Sequence, residues 1–348
     1  MYYNKHTYKE DLEITIRGID KIEEIYGKKF LITGATGLLG AFIIDMLMYI
    51  NESMSKQIGI WALGRSAERI RNRFSSHVGN LAFHIVEQDV TEPLSIDVEF
   101  DYILNFAGDG YPEAFAKRPV ETMTSTVIGS YNLLNNVKEH LNCRMLIASS
   151  GEVYGKIENI LKISESDYGY IDISKVRACY PIAKRAAENL GVAFANEYNA
   201  DIVIARMSHV YGGSTSDRDN RATSQFLRNG NNGDDIVLHS AGCQMRSYTY
   251  VADAIRGVMT ILIKGSCGEA YNISNEKSKI TIAGFAKEVA EICGVRCIFE
   301  IGTSENDTPI TYAVLDSTKL SLLGYYPIYE ISDGIKRAVA IMRESCDE

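Results

Sequence analysis

The chain has 348 residues, 46% of them hydrophobic and 23% charged, and a formal net charge of −9. Such a composition belongs to a globular protein with a sizeable core, arranged as two domains or one large domain with a lobe. The acidic balance and the lack of a long basic run argue against nucleic acid and acidic membrane surfaces as partners.

The seven cysteines, at 143, 179, 243, 267, 293, 297 and 346, contain no CxxC pair, so no zinc site, other metal centre or disulfide framework is expected. They suit a reducing compartment, and the chain reads as cytoplasmic. Residues 1–18 mix charges with no apolar core, unlike a signal peptide. No uncharged apolar run approaches the ~18 residues of a membrane span.

In chain order, residues 1–27 place Ile14, Ile16, Ile19, Ile22 and Ile25 among charges, which predicts a helical extension lying on the sheet. The strand Phe30-Leu31-Ile32 then meets Thr33-Gly34-Ala35-Thr36-Gly37-Leu38-Leu39-Gly40, and a helix follows over 41–53. Strand, glycine turn and helix in that order suit a dinucleotide's pyrophosphate. Gly34 permits the tight turn, Gly37 lets the backbone approach phosphate, and Gly40 lets helix and strand pack closely. Thr36, Leu38 and Leu39 complete the turn, whose helix end offers free N–H groups and a positive dipole.

A second strand, Gly59–Leu63, ends at Gly64-Arg65-Ser66. Many NAD sites carry an acid there for the ribose hydroxyls. A cation beside a hydroxyl suits a 2′-phosphate, hence NADP; otherwise Arg65 stacks on adenine or caps the next helix. A third strand, 82–86, leads to Asp89-Val90, with Asp89 placed to accept from the adenine amino group. A fourth, over 100–108, ends in Ala107 and Gly108, small enough to leave room for ribose. A helix over 120–140 precedes the fifth strand, 144–148. This alternation predicts an α/β fold with a doubly wound parallel sheet.

The fifth strand runs into Ser149-Ser150-Gly151-Glu152, at the carboxyl end where ligands of such sheets lie. Further on comes Cys179-Tyr180-Pro181-Ile182-Ala183-Lys184. Proline is tolerated in the first helical turn, so a helix starts near Cys179 and sets Tyr180 and Lys184 on one face. Tyrosine's pKa of about 10 must fall by ~3 units, about 4 kcal/mol, for the phenol to act as a base near neutrality. An ammonium ~4 Å away at an effective dielectric of ~20 supplies roughly that. Ser150 would relay or hold the substrate proton.

These stretches, with ARMSHVYG (205–212), QMRSYTYVADA (244–254) and EAYNISN (269–275), resemble the extended short-chain dehydrogenases/reductases of the NAD(P)-dependent nucleotide-sugar epimerase/dehydratase family. RACY–x3–KR, NRATSQF and AGCQMRSYTYV have close counterparts in the family's UDP-glucuronate decarboxylase branch. The resemblance implies a Rossmann-type fold: an extension (1–27), a nucleotide-binding domain (28–214) and a smaller C-terminal substrate-binding lobe (215–348). It implies NAD or NADP, held tightly and regenerated, and a nucleotide-diphosphate sugar oxidised at carbon 4. Water or carbon dioxide is then lost, or the ketone is re-reduced. Tyr180 would be the base, Lys184 would also hold nicotinamide ribose, and Ser150 and Glu152 align with catalytic positions. Arg221 and Arg246 would hold the diphosphate or nucleoside, and His209 takes the place of a substrate-contacting asparagine. Relatives dimerise through helices, and here a stripe of Leu190, Val192, Ala193 and Phe194 would serve, unless it packs inward.

Three departures stand out. Gly151 replaces an aspartate that donates a proton in many dehydratases. Thr311–Asp316 holds no arginine, where decarboxylases place one near 312 or 313. Thr126 replaces a common asparagine. Other residues have plainer readings. His77, His84 and His140 are expected on the surface or in strands. Glu152 would accept backbone N–H bonds, Arg221 would be a solvated charge and Arg246 a strand-surface cation. A scaffold or sensor that merely binds nucleotide would have no use for Ser150, Tyr180 and Lys184 together. Residues 156–178 read as a loop over the sugar site, and 280–294 as a helix buried through Ile282, Phe285, Val289 and Ile292.

Overall fold

Apolar runs of four to seven residues, broken by glycine and polar turns, become strands; the 3.6-residue patterns between them become helices. The computed structural model describes residues 2–158, 160–216, 219–301 and 311–344. Helix α1 (His6–Arg17) precedes β1 (Lys29–Thr33), α2 (Leu38–Met54), β2 (Gly59–Gly64), α3 (Ala67–Arg73) and β3 (Phe83–Glu87). Then come β4 (Tyr102–Asn105), α4 (Pro112–Lys117), α5 (Pro119–Glu139), β5 (Arg144–Ser150), α6 (Cys179–Tyr198) and β6 (Asp201–Met207). The chain continues through β7 (His209–Tyr211), α7 (Ala222–Asn232), β8 (Ile236–Leu238), β9 (Met245–Tyr250), α8 (Val251–Lys264) and β10 (Ala270–Ile273). It closes with β11 (Lys279–Thr281), α9 (Ile282–Cys293), β12 (Cys297–Phe299), β13 (Tyr312–Ala313), α10 (Thr318–Ser321) and α11 (Ile331–Arg343).

Seven strands form one sheet in the order β10-β6-β5-β4-β1-β2-β3, every neighbouring pair parallel. The sheet is doubly wound, as expected, and takes its last strand, β10, from beyond residue 215. Side chains alternate between its faces with period two. Phe30, Ile32, Leu104 and Leu146 pack with α2 and α8, while Leu31, Ile103, Met145 and Ile147 pack with α5 and α6. Strand β4 stops at Asn105, short of the expected 108, and Ala107 and Gly108 lie in the turn beyond it. Strands β7, β9, β11 and β13 form a second sheet, and β8 with β12 a third, carried with α7, α9 and α11 by the later part of the chain. Helix α9 buries Phe285 and Val289 as expected, and Ile282 and Ile292 pack half-buried against the same core.

The N-terminal extension corrects one expectation. Helix α1 does not lie on the sheet; it packs on α2, α8 and α11, one layer further out. The cause is α2, which is buried on all sides over residues 42–48: Phe42, Ile43, Ile44, Met46, Leu47 and Met48 are all fully buried. A helix of that kind needs cover on its outer side as well, and Tyr8, Leu12 and Ile16 of α1 provide it. Asp11 anchors the layer, accepting from the Tyr250 and Tyr329 hydroxyls and from Arg337 of the last helix.

The same layer corrects the reading of His77. It is fully buried, 2.9 Å from Asp45 of α2, with its ring edge-on to Tyr3. His84, in β3, stacks on Trp61. Six of the cysteines are free, and Cys346 lies outside the described residues. Among the described residues no helix is long and apolar enough to cross a membrane.

Candidate active site

The carboxyl ends of β1, β2, β4 and β5 open on a cleft of about 800 Å³, within the usual range for a ligand site. One end is the glycine turn. Gly34 sits at φ +62°, and a Cβ there would stand 2.6 Å from the Phe106 carbonyl oxygen. A Cβ on Gly40 would stand 2.5 Å from the Gly34 carbonyl oxygen. Gly37 N-caps α2 and no side chain caps that helix end. Its first amides therefore have no intrahelical acceptor and face the cleft. A bare backbone cradle at an uncapped helix end fits a dinucleotide's pyrophosphate.

The neighbouring turn is more mixed. Arg65 is exposed at the cleft wall, with Arg69 beside it. The helix cap is Ser66, not Arg65: its hydroxyl accepts from the Arg69 N–H at 3.3 Å. Asp89 lines the cleft with Val90, but its Oδ1 already accepts from the Thr91 N–H and hydroxyl. Those bonds hold its pKa below the ordinary carboxylate value. Ala107 and Gly108 line the cleft, and a Cβ on Gly108 would meet the Thr126 hydroxyl at 3.2 Å.

Ser150, Tyr180 and Lys184 converge midway along the cleft. Pro181 falls in the first turn of α6 and leaves Tyr180 and Lys184 one turn apart on one face. The Ser150 hydroxyl accepts from the Glu152 N–H at 3.2 Å, which leaves its own proton to donate. The Lys184 ammonium is buried, donates to the Ala148 carbonyl at 2.7 Å and stands 5.9 Å from the Tyr180 ring centre. Tyr180 stacks on Phe115, ring centres 4.6 Å apart.

The electrostatics correct the expected depression of the phenol's pKa. Burial, reinforced by the Glu152 carboxylate, pushes Tyr180 up to about 12, and the opposing pulls come from Ser150, Arg221 and Arg177. Lys184 is itself pushed down to about 8 by burial, against the pull of Glu188. Without ligand, then, the phenol is neutral and the amine is the strained partner. His209 faces the cleft beside Arg246 and Arg221. Although His209 stays open to the cleft, partial loss of solvent and the two guanidiniums lower the pKa of its imidazole.

The plainer readings of the charged residues fail. The Glu152 carboxylate meets Arg177 at 2.8 Å rather than backbone amides. Arg221 is no solvated charge: its Nε and Nη2 grip Asp219 at 2.9 and 2.6 Å, and Nη1 donates to the Val210 carbonyl at 3.2 Å. Arg246 is buried, not on a strand surface. Loop 156–178, apart from residue 159, which lies outside the described residues, supplies Lys156, Tyr170, Ile171, Asp172, Lys175 and Arg177 to the cleft. A Cβ on Gly151 would meet the Leu315 side chain at 3.2 Å, so Leu315 crowds the place where an acid would stand.

Sequence reasoning missed Arg177, Asp219 and the pair Asp109–Arg118, 2.9 Å apart on the segment after β4. Arg177 opens the RACY stretch and Asp219 sits two residues before Arg221, so both had a local signal; Asp109 had none. Among the described residues no cluster of three or more metal-ligating side chains occurs.

UDP-glucuronic acid decarboxylase 6 of Arabidopsis thaliana is 30% identical over 309 residues, covering 88% of this chain and 86% of that protein. The fold matches UDP-glucuronic acid 4-epimerase from Bacillus cereus, solved with UDP-glucuronic acid and NAD, at a TM-score of 0.76 and 22% identity, over 90% of this chain and 99% of that one. It also matches dTDP-glucose 4,6-dehydratase from Bacillus anthracis in complex with NAD, at 0.74 and 18%, over 90% and 96%. Residues 30–274 match the NAD dependent epimerase/dehydratase family, and the chain belongs to that family.

Proposed function

We propose that the protein is an NAD(P)-dependent enzyme that oxidises a nucleoside-diphosphate sugar at carbon 4 through Tyr180 and Lys184, then eliminates water or carbon dioxide. The observation that carries this reading is the convergence of Ser150, Tyr180 and Lys184 in the cleft that the bare glycine turn closes at one end. When bound, an oxidised nicotinamide would supply the hydride acceptor for carbon 4. Tyr180, in its ionised form, would take the proton of the 4-hydroxyl while Ser150 holds the oxygen. Lys184 would hold the ribose hydroxyls. The resulting ketone stabilises negative charge at carbon 5: for loss of water the carbon 5 proton falls to Glu152, kept in place by Arg177, and for loss of carbon dioxide the bond to the carboxylate breaks instead. Arg221, Arg246 and His209 hold the diphosphate end, where local cations offset the chain's acidic balance.

A second reading, 4-epimerisation or net 4-oxidation, draws support from Gly151: with Leu315 crowding that position, no acid stands beside Glu152 to protonate a leaving hydroxyl. Product masses from a panel of UDP, GDP, CDP and dTDP sugars separate the outcomes: loss of water, loss of carbon dioxide, loss of two hydrogens on net oxidation, or no change with inverted carbon 4. We further infer a homodimer. Helices α5 and α6 pack together and expose Met123, Ile128, Tyr131 and Val192 outward. The expected stripe divides there, with Phe194 buried inward and Val192 and Ala193 outward. Six free thiols accord with the cytoplasm as the place of work.

A further inference from the structure

We propose that the sugar accepted here is neutral at its reacting end, a hexose rather than a uronate; this rests on the nucleotide-sugar reading above. Two arginine–carboxylate pairs not engaged by the diphosphate line the cleft around Tyr180. Arg177 holds Glu152 at 2.8 Å, and Arg118 holds Asp109 at 2.9 Å. The second pair belongs to the segment that backs the phenol: a Cβ on Gly110 would stand 3.8 Å from the Tyr180 hydroxyl. Arg118 also donates to the Tyr111 hydroxyl at 2.9 Å, which fixes that segment.

A ligand carboxylate entering this ring meets guanidiniums that already hold an internal carboxylate. It must displace one and lie beside it, and like charges set together at a binding surface are costly. The facing wall sets Ala313 and Leu315 beside Arg246, which the diphosphate takes in the reading above, and a carboxylate pressed on the two apolar side chains loses water without gaining a partner. Hydroxyls meet the opposite situation. They donate to the remaining lone pairs of Glu152 and Asp109 and accept from the remaining guanidinium N–H groups. A hydroxymethyl or methyl group at carbon 6 rests on the apolar wall without penalty. A hexose has no carboxylate to lose, so the ketone formed at carbon 4 goes on to lose water or is reduced again.

The test offers cofactor-loaded protein matched pairs of hexose and uronate, each pair carried on uridine, guanosine or thymidine diphosphate. Calorimetry reads affinity, and the absorbance of reduced nicotinamide reads oxidation in a single turnover. The hexose of at least one pair is expected to be oxidised with a kcat/KM about 100-fold above its uronate. In Asp109→Asn, which removes one of the repelling charges, that gap is expected to narrow about tenfold. A uronate oxidised as well as its hexose overturns the neutral-sugar inference and leaves carbon-4 oxidation standing. A gap unchanged in Asp109→Asn removes the Asp109–Arg118 pair as its cause. If no member of any pair is oxidised, the nucleotide-sugar reading itself is lost.

Discussion

At the residue scale the site is built on a strained amine. Lys184 is buried, and its pKa is pushed down from 10.5 to about 8. A lysine depressed in the fold binds fewer protons than in the unfolded chain between about pH 8 and 10.5. The cost is therefore full below pH 8 and fades as pH rises to 10.5. Lys184→Met in the ligand-free protein is expected to gain up to about 3 kcal/mol at pH 7. The gain should shrink to below about 1 kcal/mol at pH 10, as read by urea denaturation at both pH values. A gain that does not depend on pH would mean that packing, not charge, is responsible. Tyr180 carries the complementary expectation. With its pKa near 12, its phenolate absorbance, taken as wild type minus Tyr180→Phe, should be absent from the ligand-free protein at pH 9. A phenolate signal there would restore the simple picture of Lys184 as sole activator. For Glu152→Gln, exchange of solvent deuterium into carbon 5 should stop while oxidation at carbon 4 persists; undiminished exchange would take Glu152 out of the chemistry.

At the scale of elements, the glycine turn, the start of α3 and the α5–α6 pair each make a separable contribution. Gly34→Ala puts a methyl into the Phe106 carbonyl at a positive φ. The combined strain is ~2–3 kcal/mol. A lower melting temperature and a lost dinucleotide affinity should appear together; unchanged affinity would show that the turn is only structural. Beside it, Arg65→Ala is expected to weaken NADP about tenfold or more and NAD little, since only the former brings a 2′-phosphate. Equal losses would make Arg65 a general contact with adenine. Tyr131→Lys with Val192→Lys should turn a dimer into a monomer by sedimentation, because two like charges would enter an apolar patch. A wild type that already sediments as a monomer would end the dimer proposal.

At the scale of the whole molecule, what the sequence made legible follows from how far apart the deciding residues lie. The glycine turn, the five leading strands and the Tyr180–Lys184 face are local patterns, each set within about a dozen residues, and they stand close to where spacing put them, apart from β4, which stops at Asn105. The Glu152–Arg177 pair is closed by the loop between β5 and α6, and Asp109–Arg118 by the short helix α4 between the two residues. Neither leaves a periodic trace. The layer position of α1 depends on α2 needing cover on its outer side, a fact about packing rather than about residues 1–27. The direction of the Tyr180 shift depends on burial in the cleft, which segments distant in sequence build together.

One measurement bears most directly on the carbon-4 chemistry: single turnover of a nucleoside-diphosphate sugar deuterated at carbon 4, with wild type and Tyr180→Phe at matched saturation. The expected result is a transient of reduced nicotinamide that is slowed by deuterium in wild type. It should be lost by at least ~1000-fold in the variant, with sugar affinity unchanged. An equal transient in Tyr180→Phe, or a product formed with no isotope effect and no reduced nicotinamide, would contradict it.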